Sequence, residues 1–516
     1  MSIVYPFNYT KHRLYNNTSL DQQLDSIQDR LSNDSDFNNL LKLSKSDVGL
    51  RTLLKVIVKN NLTSFSNSAE RNRLASELLE ILNHSIPNLI DHFMVFEDLA
   101  YFFTSKDEIA NIGRGSSVGC YVNYLLGITK VNPLDYDLHY NRFLNKNSPI
   151  LLDFDCGDRE DALEYLSNKY GSHFRKIAVE LTYKFGSAFK EALIESEIFS
   201  TSYNVSVFSN VFNTYRVKNP KLSEVQVFDL VLEQETEFYL FFKFHPSVEE
   251  MTRSMLGTFK GYGSHPCSYF LLADDSILDR SDWDDTRTRI KASSVERLKL
   301  LKITVLGVNA IKSLNKKAKY SDLKSIHYND PNVFKKISSV AKDYCTENSE
   351  SPFYYAETFF GAYARYLEHN GSFPLRSIND MAIIYSFGRS TSNIRGPSTR
   401  FDKKYPQLKG ILDDSYGSLT FDHDVVKILQ ELGSFTLEQS FSLLAKMSKN
   451  ERCDLEREMF NKNAGDVGDL FIMIQAWTRV VFNKPHAIAA SHLNYLICHF
   501  NERFFTVNQT SSENSE

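Results

Sequence analysis

Pro149-Ile-Leu-Leu-Asp-Phe-Asp155 ends an apolar run with two acidic residues, Asp153 and Asp155. In an extended strand, residues i and i+2 share a face. The two carboxylates then aim at one place while Phe154 packs on the other side. Paired carboxylates suit Mg²⁺, which takes one or two of them together with substrate phosphates. Upstream, Gly113-Arg-Gly-Ser-Ser-Val-Gly119 supplies a glycine-rich turn that can bring backbone N–H groups up to phosphates. Singly, Asp-x-Asp also describes a solvated strand end, and Gly115 and Gly119 also suit a tight turn that needs positive φ. The two together, in this order, point to a metal–phosphate site.

Around this stretch, the 516 residues are enough for about three or four domain-sized units. A hydrophobic content of 42% is that of an ordinary globular protein with a sizeable core. The net charge of −5 excludes a polycation, so any nucleic-acid role rests on local basic patches. The six cysteines, Cys120, Cys156, Cys267, Cys345, Cys453 and Cys498, form no C-x-x-C pair and lie near no histidine cluster. That argues against a zinc site or disulfide framework and for free thiols in a reducing cytosol. The start, Met1-Ser-Ile-Val-Tyr-Pro, lacks a signal-peptide pattern, and no apolar run approaches the ~20 residues of a spanning helix. The chain is expected to be cytoplasmic and soluble, with no membrane partner.

Residues 1–85 are polar and read as helical. Over Ser68–Leu82 the spacing puts Leu74, Leu78 and Leu82 on one face, with Ser68 as N-cap. Residues 161–170 read as a helix with Leu163 and Leu166 inward. Residues 171–245 read as mainly helical, including Phe185–Ile194. Tyr269–Leu272 reads as a short strand, and Leu300–Leu306 as a buried, β-branched strand. Between them, Asp274, Asp275, Asp279, Asp282, Asp284 and Asp285 read as a solvated loop. Lys312, Lys316, Lys317 and Lys319 form a basic run, and the chain beyond about 320 reads as helical with a frayed end at 509–516. No internal repeat is visible.

Several segments then line up in one order. The glycine turn leads into Tyr124-Leu-Leu-Gly-Ile-Thr129, Asn132-Pro-Leu-Asp-Tyr-Asp137 and Arg142-Phe-Leu-Asn145, followed by Asp153-Phe-Asp155 and Glu164–Gly171. Gly263-Ser-His265 precedes the strand at 269–272. Val295-Glu296, Lys302 and Leu306-Gly307 keep the spacing of a second strand. Phe387-Gly-Arg389, Ser415-Tyr-Gly417 with Asp422-His-Asp424, and Phe482-Asn-Lys-Pro-His486 follow. Over roughly 65–505 the chain resembles the C-family bacterial replicative DNA polymerases, the alpha subunit of DNA polymerase III.

The resemblance implies an α+β, mostly helical fold: a polymerase-beta-like nucleotidyltransferase palm sheet with a helical thumb and fingers. The division implied is an N-terminal helical segment (1–85), palm in two parts (86–165 and 246–310), a thumb-like helical insertion (166–245), fingers (311–505) and a tail (506–516). It implies a DNA-directed DNA polymerase core adding dNTPs to a primer 3′-OH on primer–template DNA, with accessory replication proteins for processivity. Asp153 and Asp155 would hold two Mg²⁺ ions, with Mn²⁺ as the alternative. Gly113, Arg114, Gly115 and Ser116 would meet the triphosphate. Arg389, Lys484 and His486 would be the fingers' phosphate clamp. Lys302, Lys312, Lys316 and Lys317 would meet the DNA backbone. From the residues alone, Arg142 is expected in an ion pair with Asp135 or Asp137, and His265 as a hydrogen-bonded turn histidine.

The chain departs from the family at Lys302-Ile-Thr-Val-Leu-Gly307, where Thr304 stands in the place of a third catalytic aspartate. A hydroxyl does not replace that charge and is a poor general base. Three outcomes stay open: Asp158, Asp274 or Asp275 fills the gap; catalysis persists more slowly on two aspartates; or the site binds metal–nucleotide without turnover. Leu443-Leu-Ala-Lys446 also replaces a basic pair of the fingers. No histidine-rich phosphoesterase-like domain and no exonuclease signature is visible, so a minimal polymerase core is expected. The alternative is a degenerate homologue acting as a DNA-binding or assembly subunit.

Overall fold

The computed structural model describes residues 6–500 apart from 31–34, 62–66, 146–149, 199–201, 273–282, 285–286, 289, 347–356, 371–372, 374, 390–399 and 466. Among the described residues helices dominate, with six strands: β1 (Asp153–Cys156), β2 (Phe174–Thr182), β3 (Phe259–Leu271), β4 (Trp283–Asp284), β5 (Arg287–Thr288) and β6 (Leu301–Gly307). Four form one sheet in the order β1-β6-β3-β2, and β4 pairs with β5. The α+β, mostly helical expectation therefore holds.

By contact the chain separates into two units: 1–174 with 271–273 and 299–516, and 175–270 with 274–298. In the second unit, helices from Phe185–Glu195 to Pro246–Met255 pack around Phe185, Phe189, Phe228, Phe238 and Phe242. In the first unit, the helices Ile378–Arg389 and Lys484–His499 share one apolar core with Val118 of the glycine turn. A second cluster gathers the helices from Asp422–Glu431 to Leu470–Trp477.

Local expectations hold or fail for identifiable reasons. The helix over Ser68–Leu82 forms, but Asn67 is its N-cap, accepting from Ala69 N at 2.9 Å. Its buried stripe is Leu74, Leu78 and Ile81. The helix after β1 begins at Arg159, because Asp158 caps it by accepting from the Glu160 and Asp161 amides. The mainly helical reading of 171–245 is corrected at its start, where β2 occupies nine residues. There Ile177, Val179 and Thr182 bring β-branched character. The strand expected over 269–272 is the end of the thirteen-residue β3. His265 lies inside β3 rather than in a turn before it, and its Nδ1 accepts from the Cys267 and Ser268 amides at 3.1 and 3.0 Å. Cys120, Cys156, Cys267, Cys453 and Cys498 are free thiols. Among the described residues, no helix is long and apolar enough to cross a membrane.

Candidate functional site

β1 and β6 run parallel, with Asp153 opposite Thr304 and Asp155 opposite Leu306. Partners across a ladder present their side chains on the same face. Asp153, Asp155 and Thr304 therefore share one face, with Lys302 one step along on β6. Phe154 faces the other way and is fully buried, its ring stacked 5.8 Å from that of Phe103. The position that lacks the third carboxylate is thus the direct neighbour of Asp153.

Asp155 is only 6% exposed, and three groups hold it. The Asn111 amide donates to its carbonyl at 2.7 Å, and its own amide donates to Asn111 Oδ1 at 3.3 Å. Arg114 Nε donates to both carboxylate oxygens, at 2.9 and 3.1 Å. Burial pushes the Asp155 carboxyl above its ordinary range; Arg114 pulls it down and the Asp153 charge pushes it up, leaving a net rise. Burial also opposes the Arg114 charge, but the Asp155 hydrogen bond and the charges of Asp155 and Asp153 leave the guanidinium above its ordinary value.

Arg114 opens the glycine turn, whose residues Gly115–Gly119 form a short 3₁₀ helix. Gly115 adopts φ +66°, a left-handed conformation that side chains rarely take. Gly119 lies so close to the His139 carbonyl that an added Cβ would sit 2.4 Å from its oxygen. The turn is pinned from outside. Arg73 donates to the Gly119 carbonyl at 2.6 Å and the Leu138 carbonyl at 2.9 Å. Buried Glu77 holds Arg73 Nε at 2.6 Å and accepts the Tyr121 and Val122 amides, both at 2.9 Å.

The Phe482–His486 segment meets this turn directly. His486 Nδ1 accepts the Gly115 amide at 3.0 Å, so the N–H expected to face a phosphate is engaged by a side chain 371 residues away. Lys484 is 6% exposed and its ammonium is pushed down by burial, then by Lys427, against the pull of Asp424, Asp414 and Asp137. Its backbone amide donates to Asp422 Oδ1 at 3.0 Å. Asp422 is 1% exposed, pairs with Arg142, and meets His423 Nδ1 at 3.0 Å. Burial raises the Asp422 carboxyl, but His423, Arg142 and the Lys484 amide together hold it well below the ordinary range. The expected pairing of Arg142 with Asp135 or Asp137 is therefore corrected: the chain folds back to give it a buried carboxylate from a distant helix start.

Ser116 lies half-buried in the turn, and Lys302 half-buried on β6. Lys312 forms an exposed ion pair with Asp158 at 3.7 Å. Lys316 and Lys317 follow on the surface. Arg389 closes its helix, but its side chain lies outside the described residues, as do Asp274 and Asp275. Asp158 caps the helix that follows β1 and pairs with Lys312. Asn111, Glu77 and Asp422 position the site without any motif that singled out their roles; only the acidic helix start at Asp422 carried a signal.

Among the described residues, no group of three or more His, Cys, Asp or Glu side chains could hold a metal ion. The donor set at β1 is two carboxylates and a neutral hydroxyl. It fits a divalent ion that completes its coordination with substrate phosphates and water, provided that Arg114 releases Asp155.

A family model described as the bacterial DNA polymerase III alpha NTPase domain matches residues 49–307, half of the chain. DNA polymerase III subunit alpha of Streptococcus pyogenes is 26% identical over 479 residues, covering 84% of this chain and 43% of the relative. The subunit of the same name from Mycoplasma genitalium is 23% identical over 535 residues, covering 94% of this chain and 57% of the relative. That of Ureaplasma parvum is 23% identical over 464 residues, covering 83% and 45%. The chain spans about half the length of the curated relatives it matches. The family match runs through the glycine turn, β1 and β6 in the order in which the fold brings them together, and the chain belongs to the bacterial DNA polymerase III alpha family.

Proposed function

We propose that the chain is the core of a DNA-directed DNA polymerase, transferring a nucleotide from a deoxynucleoside triphosphate to a primer 3′-hydroxyl. The observation that carries this is the shared face of Asp153, Asp155 and Thr304, with the guanidinium of the glycine turn seated on Asp155. On this reading, 86–165 and 246–310 are the palm, 166–245 the thumb and 311–505 the fingers, with a helical segment at 1–85 and a tail at 506–516.

Asp153 and Asp155 would hold Mg²⁺ or Mn²⁺, which supplies charge neutralisation for the triphosphate and lowers the pKa of the primer hydroxyl. Arg114 exchanges Asp155 for a phosphate oxygen, since its planar fork pairs with either. Gly113, Gly115 and Ser116 shape the turn beside that phosphate. Arg389, Lys484 and His486 serve the nucleotide from the fingers side. Lys302 meets the primer or template backbone, and Lys312, Lys316 and Lys317 add salt-dependent phosphate contacts. Processivity is assigned to accessory proteins, and the cytoplasm is the compartment that fits the free thiols.

A second reading has one specific observation in its favour: Thr304 stands beside Asp153 while Arg114 neutralises Asp155, so the site carries less negative charge than two-metal chemistry uses. In that case the chain is a DNA-binding or assembly subunit. Primer extension with Mg²⁺ or Mn²⁺ separates the two. The polymerase reading expects extension that Asp153→Ala or Asp155→Ala abolishes. No extension by concentrated wild-type protein, alone or with accessory replication proteins, would sink it, and DNA binding that survives both substitutions would then support the second.

A further inference from the structure

The first unit contains a cavity of about 790 Å³, within the range of small-molecule sites. Neither Asp153, Asp155, Gly115 nor Lys484 lines it. Five tyrosines line it: Tyr101, Tyr124, Tyr136, Tyr320 and Tyr328. Lys130 Nζ is fixed there, 4.8 Å from the Tyr320 ring centroid and donating to the Gly127 carbonyl at 2.6 Å. An ammonium carries three donors, and that carbonyl accepts only one.

The electrostatics favour an anion. Of the two carboxylates on the walls, Glu97 is already paired with Arg13, and Asp135 accepts from Asn132 at 2.9 Å. Lys59 and Lys324 add exposed positive charge to the lining. Burial pushes the Lys130 ammonium down to about 8 against the pull of the Glu97 charge, and a bound anion would offset more of that burial. Tyrosine faces stack planar rings, and lysine serves phosphate as a point charge.

We propose that this cavity is a second ligand site, for a small molecule joining a planar ring to an anionic group, of the nucleoside monophosphate class. The ring lies among the tyrosines and Lys130 takes the anion. The assignment is independent of the reading of Asp153 and Asp155.

The test is calorimetric titration of the full chain, without divalent metal, using adenosine 5′-monophosphate, adenosine and inorganic phosphate as separate probes. Adenosine 5′-monophosphate is expected to bind with a Kd of roughly millimolar or tighter, more strongly than either half. Lys130→Met should weaken it by about tenfold or more, and Lys130→Arg should retain it. Asp155→Asn should leave it unchanged. If Lys130→Met does not fold, the exposed pair Lys59→Ala with Lys324→Ala carries the same test, with weaker binding expected. Absence of binding by the wild type, binding lost in Asp155→Asn but kept in Lys130→Met, or equal binding of phosphate alone would each overturn the assignment.

Discussion

Replacing Thr304 with aspartate tests the site at its most informative position. Thr304 lies directly across the ladder from Asp153 and is 9% exposed. Adjacent strands are about 4.8 Å apart, so a carboxylate at 304 stands roughly 5 Å from that of Asp153. Two like charges at that distance repel by about 3 kcal/mol at an effective dielectric of ~20. Arg114, already on Asp155, offsets part of this. Thr304→Asp should therefore destabilise the metal-free protein by about 2–4 kcal/mol. The same carboxylate adds a ligand, so Mg²⁺ should recover much of the loss: a ligand at a hundred times its Kd contributes about 2.7 kcal/mol. The assay is urea unfolding of wild type and variant, with and without millimolar Mg²⁺, alongside primer extension. The Mg²⁺-dependent gain in stability is expected to be larger in Thr304→Asp than in wild type, with faster extension. An equal loss with and without Mg²⁺ would refute a shared metal-facing position for residues 153, 155 and 304.

Two further outcomes are expected. Asp422→Ala removes a buried carboxylate from Arg142, His423 and the Lys484 amide. Breaking such a pair costs about 3–5 kcal/mol, measurable by urea unfolding, whereas a loss below about 1 kcal/mol would show that Asp422 is not the node described. For pH, burial holds His92 and His492 at about 3 in the folded state, His84 adding to the effect on His92. Their ordinary value is near 6.5, so between these limits the unfolded chain binds more protons. Stability is then full above about 6.5 and falls as pH drops, by about 2 kcal/mol per histidine at pH 5. The upward-shifted carboxyls of Asp91, Asp155 and Asp424 work in the opposite direction. Unfolding free energies that do not fall between pH 7 and pH 5 would contradict the histidine assignment.

Local chemistry made much of the fold legible. Asp153 and Asp155 alternate with Phe154 and Cys156 because a strand has period two, so their shared face needed no tertiary information. The Ser68–Leu82 and Phe185–Glu195 helices follow from apolar spacing. The strand at Leu301–Gly307 follows from its β-branched run. β2 was missed because Phe174–Thr182 mixes charged and apolar residues, and its strand state depends on pairing within a sheet that no short window contains. His265 was misplaced for a related reason, since β3 extends well beyond its apolar end.

The residue types on offer can be read from the chain alone: two alternating carboxylates, a glycine turn opened by an arginine, and a threonine where a third acid was expected. Their partners follow from the packed fold. It put Arg114 on Asp155, His486 on the Gly115 amide, Arg142 on Asp422 rather than on a neighbour, and Asn111 against the backbone of β1. Three of these pairs join residues 41, 280 and 371 positions apart. Periodicity and capping act within a few residues along the chain, whereas buried charges and amides take whichever partner the packed core brings within hydrogen-bonding distance.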